Sequence, residues 1–317
     1  MKILFMGTPD FALTILKSVA TKHEISLVVT QPDRVNGRGG KITMSPVKEW
    51  ALKNGVEVFQ PEKIKSEESV AYLKEYAEKI GGFDVAVVAA YGQILPTSIL
   101  YLPRLHSVNV HASLLPKYRG AAPIQWAILN GDKVTGVTTM LMGPGLDDGD
   151  ILEQRSVTIF DDETGESLFD KLAYVGSELI LDTLDKLSKN EIIPIKQDEE
   201  NATHVSMIKK DMGRLDFSKP AEVLERYVRG LYSWPGAFFV FQGKNVKIIK
   251  ASIMDDPESD EYQTASTGTM FCDGKSLLYI KTGNNALKIE RLQIPGKKAM
   301  DTADFLRGHK VNPIEKL

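Results

Sequence analysis

Ser107-Val-Asn-Val-His111-Ala-Ser-Leu-Leu-Pro116-Lys-Tyr-Arg-Gly120-Ala-Ala-Pro123-Ile-Gln-Trp-Ala-Ile-Leu129 passes from alternating to helical spacing within a few residues. Val108 and Val110 alternate with Asn109 and His111, so a strand here carries both polar side chains on one face and both valines on the other. Pro116 and Gly120 then interrupt the pattern, which predicts a loop with backbone groups free to meet a ligand. Pro123 suits the first position of a helix, and Ile124, Ala127 and Ile128 recur with helical spacing. A second β-branched run, Val134 to Met142, ends in Gly143-Pro-Gly-Leu-Asp147. Its glycine-rich turn delivers a carboxylate beside the first strand, so Asn109, His111 and Asp147 are expected to meet.

Toward the N-terminus, Lys2 to Met6, Ile25 to Thr30, Val56 to Phe59 and Asp84 to Ala90 are short apolar runs. Amphipathic stretches separate them: Phe11 to Ala20, Pro46 to Lys53 and Glu67 to Lys79. Strand alternating with helix predicts an α/β fold, a doubly wound, mostly parallel, Rossmann-like sheet that takes its ligands at the carboxyl ends of its strands. Gly7-Thr-Pro-Asp10 stands where a dinucleotide fold carries G-x-G-x-x-G, but only the first glycine is present, which removes the main support for NAD or FAD. Pro9 and Asp10 read as a helix start instead.

Downstream, Thr164-Gly-Glu-Ser opens a helix whose apolar stripe is Leu168, Leu172, Val175, Leu179, Ile180 and Leu184, running to about Ser188. Asn190 to Thr203 is polar without periodicity and reads as a linker. After a helical stretch at Ala221 to Gly230 come short strands at Phe238–Phe241, Val246–Ser252, Gly268–Cys272, Leu277–Thr282 and Ala286–Pro295, the pattern of a small, OB-like antiparallel β-barrel. The expected organisation is a first domain at residues 1–189, a linker at 190–206 and a second domain at 207–317.

The 317 residues, 43% hydrophobic and 26% charged, are those of an ordinary globular protein with room for two cores. Cys272 has no partner for an intramolecular disulfide, which fits a reducing cytoplasm. The apolar start, Met-Lys-Ile-Leu-Phe-Met-Gly7, is too short for a signal segment, and no apolar run approaches the roughly 18 residues of a membrane span. A net charge of −3 argues against a general nucleic-acid binder. Residues 207–317, however, carry 18 basic against 14 acidic side chains, and the rest of the chain 21 against 28. An anionic partner therefore belongs with the C-terminal part.

Histidine exchanges protons near neutrality, asparagine donates a hydrogen bond without titrating, and aspartate orients the imidazole or takes up a proton. That set suits transfer of an acyl or formyl group to an amine, where an oxyanion needs a donor and a nitrogen must lose a proton. No serine or cysteine nucleophile stands in a matching context, and no G-x-S-x-G elbow occurs. The same residues also admit a satisfied core histidine and a plain acidic turn. Gly145-Leu-Asp-Asp-Gly-Asp150 lacks the spacing and distal Glu of an EF-hand, so no metal is expected. Gln31 to Ser45, with Asp33, Arg34, Arg38 and Lys41 among glycines, reads either as a surface loop or as a basic loop that closes on a phosphate backbone.

Asn109-Val-His111-Ala-Ser-Leu-Leu-Pro116, Arg119-Gly-Ala-Ala-Pro-Ile124 and Gly145-Leu-Asp147-x-Gly-Asp150 together resemble the signature of the folate-dependent formyltransferases. Gly7-Thr-Pro-Asp-Phe-Ala12, Thr30-Gln-Pro-Asp-Arg34, Gly37-Arg-Gly39, Ser45-Pro-Val-Lys48 and Leu231-Tyr-Ser-Trp-Pro-Gly-Ala237 are similar to the branch that acts on methionyl-tRNA, so the likeness runs the length of the chain. The resemblance implies transfer of formyl from 10-formyltetrahydrofolate, as co-substrate and without a metal, to the α-amine of initiator methionyl-tRNA by a cytoplasmic monomer. An amine on a nucleotide sugar or in purine synthesis is the alternative acceptor. It implies Asn109, His111 and Asp147 as catalytic residues. The folate would lie against Gln93, Ile94, Leu95, Ser113, Leu114, Leu115 and Pro116, with backbone groups reading the pterin edge and the aliphatic side chains walling it. Arg38 and Lys41 would engage the tRNA. The family pattern has two lysines after Arg-Gly where this chain has Gly40-Lys41, one phosphate contact fewer.

Overall fold

The apolar runs of the first half become strands of one sheet: β1 (Lys2–Gly7), β2 (Glu24–Val29), β3 (Val58–Phe59), β4 (Val85–Ala89), β5 (Ser107–His111), β6 (Val134–Leu141) and β7 (Ile151–Thr158). The structure, a computed structural model, describes residues 1–36 and 41–317. It divides into two compact units, one of Met1–Pro123, Val134–Thr158 and Phe169–Val205, the other of Ile124–Lys133, Ile159–Leu168 and Ser206–Leu317.

In the first unit the strand order is β7-β6-β5-β4-β1-β2-β3. β3, β2, β1, β4 and β5 run parallel, and β6 and β7 turn the far edge antiparallel. Helices α1 (Asp10–Val19), α2 (Pro46–Lys53) and α3 (Glu67–Ile80) make connections between the parallel strands. Their ends follow local chemistry. Ser45 and Ser66 accept backbone N–H groups at the starts of α2 and α3, and Gly81 closes α3 at a φ of 77°. Central strands covered on both faces read as unbroken apolar runs, and Ile3, Leu4, Phe5 and Met6 are all fully buried. Leu4, Met6, Leu27, Val29, Leu73 and Val88 share one core.

Strand β7 escaped the sequence pattern because Glu153, Gln154 and Arg155 sit among its residues, as an edge strand permits. Two other departures concern backbone pairing that side chains do not announce. Within the long connection after β2, Arg34–Asn36 and Lys41–Thr43 form a two-stranded ribbon. The polar tract read as a linker is bonded to the first unit, where Ile195 exchanges both backbone hydrogen bonds with Ile151 and His204–Val205 pair with Arg119–Gly120.

The second unit holds α4 (Pro123–Leu129, from Ile124 on), the start of α5 (Gly165–Ser188), α6 (Ala221–Gly230) and α7 (Thr302–Gly308). Its strands are β8 (Phe238–Phe241), β9 (Lys244–Met254), β10 (Thr269–Cys272), β11 (Leu278–Lys281), β12 (Ala286–Gln293), β13 (Met300–Asp301) and β14 (Ile314–Lys316). They pair antiparallel in the order β8-β9-β12-β11-β10-β14, with β13 against β12, as a curled, OB-like half-barrel. Register shifts on either side of Lys250 bulge β9 against β12, and bulges of this kind let a long strand bend. Leu224 and Val228 of α6 and Phe305 of α7 share one core with Phe239, Ile248 and Leu292. No helix among the described residues is long and apolar enough to cross a membrane.

Candidate active site

Asn109 and His111 lie on one face of β5, 8% and 7% exposed, opposite Met140 and Thr138 of β6. Val108 and Val110, which alternate with them, face the other way and are buried. From the end of β6 the chain doubles back through Gly143–Asp150, and Leu141 N–H donates to Asp150 O at 2.9 Å. This return needs glycine at 149, where a Cβ would stand 1.7 Å from Leu141 O. It places Asp147 in the left-handed region, at a φ of 51°.

Asp147 is the meeting point of the three predicted side chains. Its Oδ1 accepts from Asn109 Nδ2 at 3.5 Å, and its Oδ2 lies 3.7 Å from His111 Nδ1. Oδ2 also accepts the Gly120 backbone N–H at 2.8 Å. The other imidazole nitrogen, Nε2, is 2.9 Å from Tyr118 O. A carbonyl only accepts, so Nε2 carries the proton and, in the neutral ring, the free lone pair is on Nδ1 beside the Asp147 carboxylate. The arrangement can therefore receive a proton at Nδ1 and hold the resulting imidazolium against an anion, while Asn109 donates from the same strand face.

Behind Asp147 stands a second set that the sequence reading missed. Gln197 Nε2 donates to the backbone oxygens of Asp147 at 2.8 Å and Gly149 at 2.7 Å, fastening both sides of the return turn. Its Oε1 accepts Arg119 Nε at 3.0 Å, and the Arg119 guanidinium forks onto Glu199 at 2.9 and 2.7 Å. The hydrogen bond to Glu199 raises the pKa of Arg119, and the same bond lowers that of Glu199. Arg119 is buried while Glu199 is largely exposed, so the pair is solvent-screened and its geometry matters more than its Coulomb energy. Gln197 sits in a polar tract without periodicity, and no signal in the sequence marks it.

The residues expected around the folate have separate fates. Gln93 is bonded to the segment before α3, accepting Ile64 N–H at 2.8 Å and donating to Pro61 O at 3.3 Å. Leu95 is buried in the core with Leu4 and Val88, whereas Ile94 is 77% exposed. Ser113 donates its hydroxyl to Lys117 O at 2.7 Å and its carbonyl accepts the Thr138 hydroxyl at 2.6 Å. Leu115 is tied through its N–H to Thr138 at 3.1 Å and through its carbonyl to Gln154 at 2.8 Å. Leu114 packs toward Gly136, and Pro116 O accepts Thr203 N–H at 3.2 Å. These backbone groups thus have partners within the chain, and the exposed apolar side chains near the turns are Ile94 and Leu146.

Of the two basic residues singled out for tRNA, Arg38 lies outside the described residues, and Lys41 opens the second strand of the ribbon. The ribbon's base is fixed: Asp33 Oδ2 accepts Lys48 Nζ at 2.5 Å, and Gln60 Nε2 bonds both Asp33 Oδ1 and Gln31 O at 2.9 Å. The hydrogen bond from Lys48 holds the Asp33 carboxyl below its usual pKa. Among the described residues no group of three or more His, Cys, Asp and Glu is placed to hold a metal ion.

Comparison with known proteins matches residues 1–184 to the family described as formyl transferase and residues 207–310 to its C-terminal domain. The methionyl-tRNA formyltransferase of Agathobacter rectalis is 47% identical over 97% of this chain and 96% of its own. That of Caldanaerobacter subterraneus subsp. tengcongensis is 46% identical over 98% of each. Among solved structures, the sugar 3N-formyl transferase WlaRD, determined with dTDP and 5-N-formyl-THF, superposes with a TM-score of 0.65. The match covers 94% of this chain and 99% of that one, and at 18% identity it speaks for the fold.

Proposed function

Because the chain belongs to the formyl transferase family, among the methionyl-tRNA formyltransferases, we propose that it moves the formyl group of 10-formyltetrahydrofolate to the α-amine of methionine on initiator tRNA. In this reading the neutral amine attacks the formyl carbon and a new C–N bond forms. Asn109 donates to the developing oxyanion, and His111, neutral with its lone pair on Nδ1, takes up the amine proton there. The imidazolium so formed faces the oxyanion, and as the carbonyl re-forms the bond to the folate nitrogen breaks and the Nδ1 proton passes to that nitrogen. Asp147 holds the imidazolium while it carries that proton. An α-amine with a pKa near 8 supplies enough of its neutral form at neutral pH.

The observation that carries the reading is the convergence on Asp147, with Asn109 and His111 at 3.5 and 3.7 Å on one face of one strand. Ile94 and Leu146, apolar and exposed, are the side chains we assign to the walls of the folate site, with Gln93, Leu95 and Ser113–Pro116 as the frame behind them. We assign catalysis to residues 1–189, a connecting role to 190–206 and tRNA binding to 207–317 together with Arg38 and Lys41, in a cytoplasmic monomer. The net positive balance of 207–317 supports that division.

The test is incubation with 10-formyltetrahydrofolate and methionyl-tRNA, following formylmethionine. The amino groups of nucleotide sugars and of purine intermediates serve as competing acceptors. Formylmethionine is the expected product; turnover on a sugar or purine amine alone would replace this assignment with the other acceptor class.

A further inference from the structure

Leu231-Tyr-Ser-Trp-Pro-Gly-Ala237 holds none of the catalytic residues and lies wholly within the second unit. It is a fixed turn. Gly236 N–H closes back on Leu231 O at 2.9 Å, and Ser233 is held at a φ of 69°, in the left-handed region that side chains rarely adopt. The turn presents Trp234. Among the described residues 207–317 it is the one exposed aromatic side chain, 56% open to solvent. An indole on a rigid support offers a flat partner a large apolar face with little left to order on binding.

Cations flank that turn. Phe238 is in register with Lys247 on one side and Arg214 on the other, so the three side chains share one face. The Lys247 side chain lies over the turn itself, its Nζ 3.3 Å from where a Cβ on Gly236 would stand. Arg214 follows Gly213, where a Cβ would stand 2.4 Å from Gly236 O, so its segment runs against the same turn. Neither cation has an ion-pair partner among the described residues, whereas on the same sheet Lys250 pairs with Glu290 at 3.0 Å and Arg291 reaches Asp301 at 3.9 Å. Nearby acids do not cancel them: Asp211 stands next to Lys209 and Lys210 in the chain, and Asp216 is taken up by the Ser218 N–H and hydroxyl at 3.1 and 2.7 Å. An apolar protein surface would leave both cations desolvated; a nucleic acid brings a flat base and phosphates together. We propose that this face takes an unpaired base of the tRNA on the Trp234 indole, with the adjoining phosphates on Arg214 and Lys247. The proposal rests on the reading that residues 207–317 hold tRNA, and it names the contact.

The test is the Kd of the intact protein for uncharged initiator tRNA, measured by fluorescence anisotropy at a series of salt concentrations. Trp234→Leu should weaken binding about 10- to 100-fold while keeping the parent's salt slope, because stacking releases no counter-ions. Trp234→Phe should retain most of the affinity. Lys247→Gln and Arg214→Gln should each flatten the slope by about one counter-ion. Parent-like affinity in Trp234→Leu overturns the proposal, as does a parent-like slope in both cation variants. Equal weakening by Phe and Leu at 234 overturns it too, since the turn rather than the ring would then matter. A parent that does not bind tRNA removes the underlying reading along with the proposal, so the two failures are told apart. Should Trp234→Leu fail to fold, a Trp50→Phe, Trp126→Phe protein has Trp234 as its sole indole. Saturating tRNA should quench its emission, and an unquenched indole overturns the proposal.

Discussion

Gln197 donates from a single nitrogen to Asp147 O and Gly149 O, at 2.8 and 2.7 Å, and so fixes the backbone of the turn that carries the Asp147 carboxylate from a point 50 residues further along the chain. The carboxylate position is thus set twice, by Gln197 on the main chain and by Gly120 N–H on Oδ2. Gln197→Leu would leave two carbonyls and Arg119 Nε without that partner. Formyl transfer should fall about 10- to 100-fold in kcat with KM for both substrates changed little, since the group acts on the position of Asp147 and touches neither substrate. Steady-state kinetics on the folded variant decide it, and a change confined to KM would make Gln197 part of a binding surface instead.

The same turn depends on Gly149, whose Cβ would meet Leu141 O at 1.7 Å with backbone on both sides of the contact. Gly149→Ala should displace the return strand and with it Asp147, cutting kcat at least about 100-fold, because an ångström of misplacement in a catalytic group is costly. Gly55, at a φ of 67° with nothing within 4 Å of an added Cβ, is a control for a glycine-to-alanine change that costs stability away from the turn. Gly55→Ala should lower stability without touching turnover, and equal losses in the two variants would remove the special claim for Gly149.

How much of this was legible beforehand follows from what leaves a mark in sequence. The alternation in Ser107–His111 survives because one face of β5 is core and the other is the site, so strand, loop and helix were placed within a residue or two. The glycines after β6 announced a turn, and Asp147 followed. Gln197, Gly120 and the Arg119–Glu199 fork left no comparable trace, since Gln197 bonds backbone oxygens and Gly120 contributes only its N–H. Nor does the sequence show that Ser113 and Leu115, which the resemblance sets beside the folate, are bonded to Thr138 and Gln154. The edge strand Ile151–Thr158 was missed because its polar residues suit one covered face only.

A pH effect unrelated to catalysis is expected in the β10–β11 hairpin. Asp273 Oδ1 accepts the backbone N–H groups of Leu277, Lys275 and Ser276, each at 2.8 Å, and these hold its pKa at about 2. The unfolded value is about 3.9, so between the two the unfolded chain binds more protons and folding weakens as pH falls. The contribution is complete above about pH 4 and is lost as pH falls through about 2. Asp273→Ala should lower Tm by a few degrees at pH 7, with the gap to the parent closing toward pH 2. Calorimetric scans across that range test it; a gap independent of pH would assign the loss to packing.

The shared carboxylate gives the last and most direct prediction. Asp147→Asn keeps the shape and an acceptor for Gly120 N–H but removes the charge that faces His111 Nδ1 at 3.7 Å. If the imidazolium forms during transfer, losing its counter-ion raises the barrier without weakening the ground-state complex, and kcat should fall about 10²- to 10³-fold at near-constant KM. His111→Ala should cost as much or more while folate still binds, measured by quenching of protein fluorescence. Because the two residues serve one proton, the double variant should be little worse than His111→Ala alone, whereas independent roles would multiply the losses. Multiplied losses in the double variant would show that Asp147 works on the substrate directly, with His111 a separate contributor.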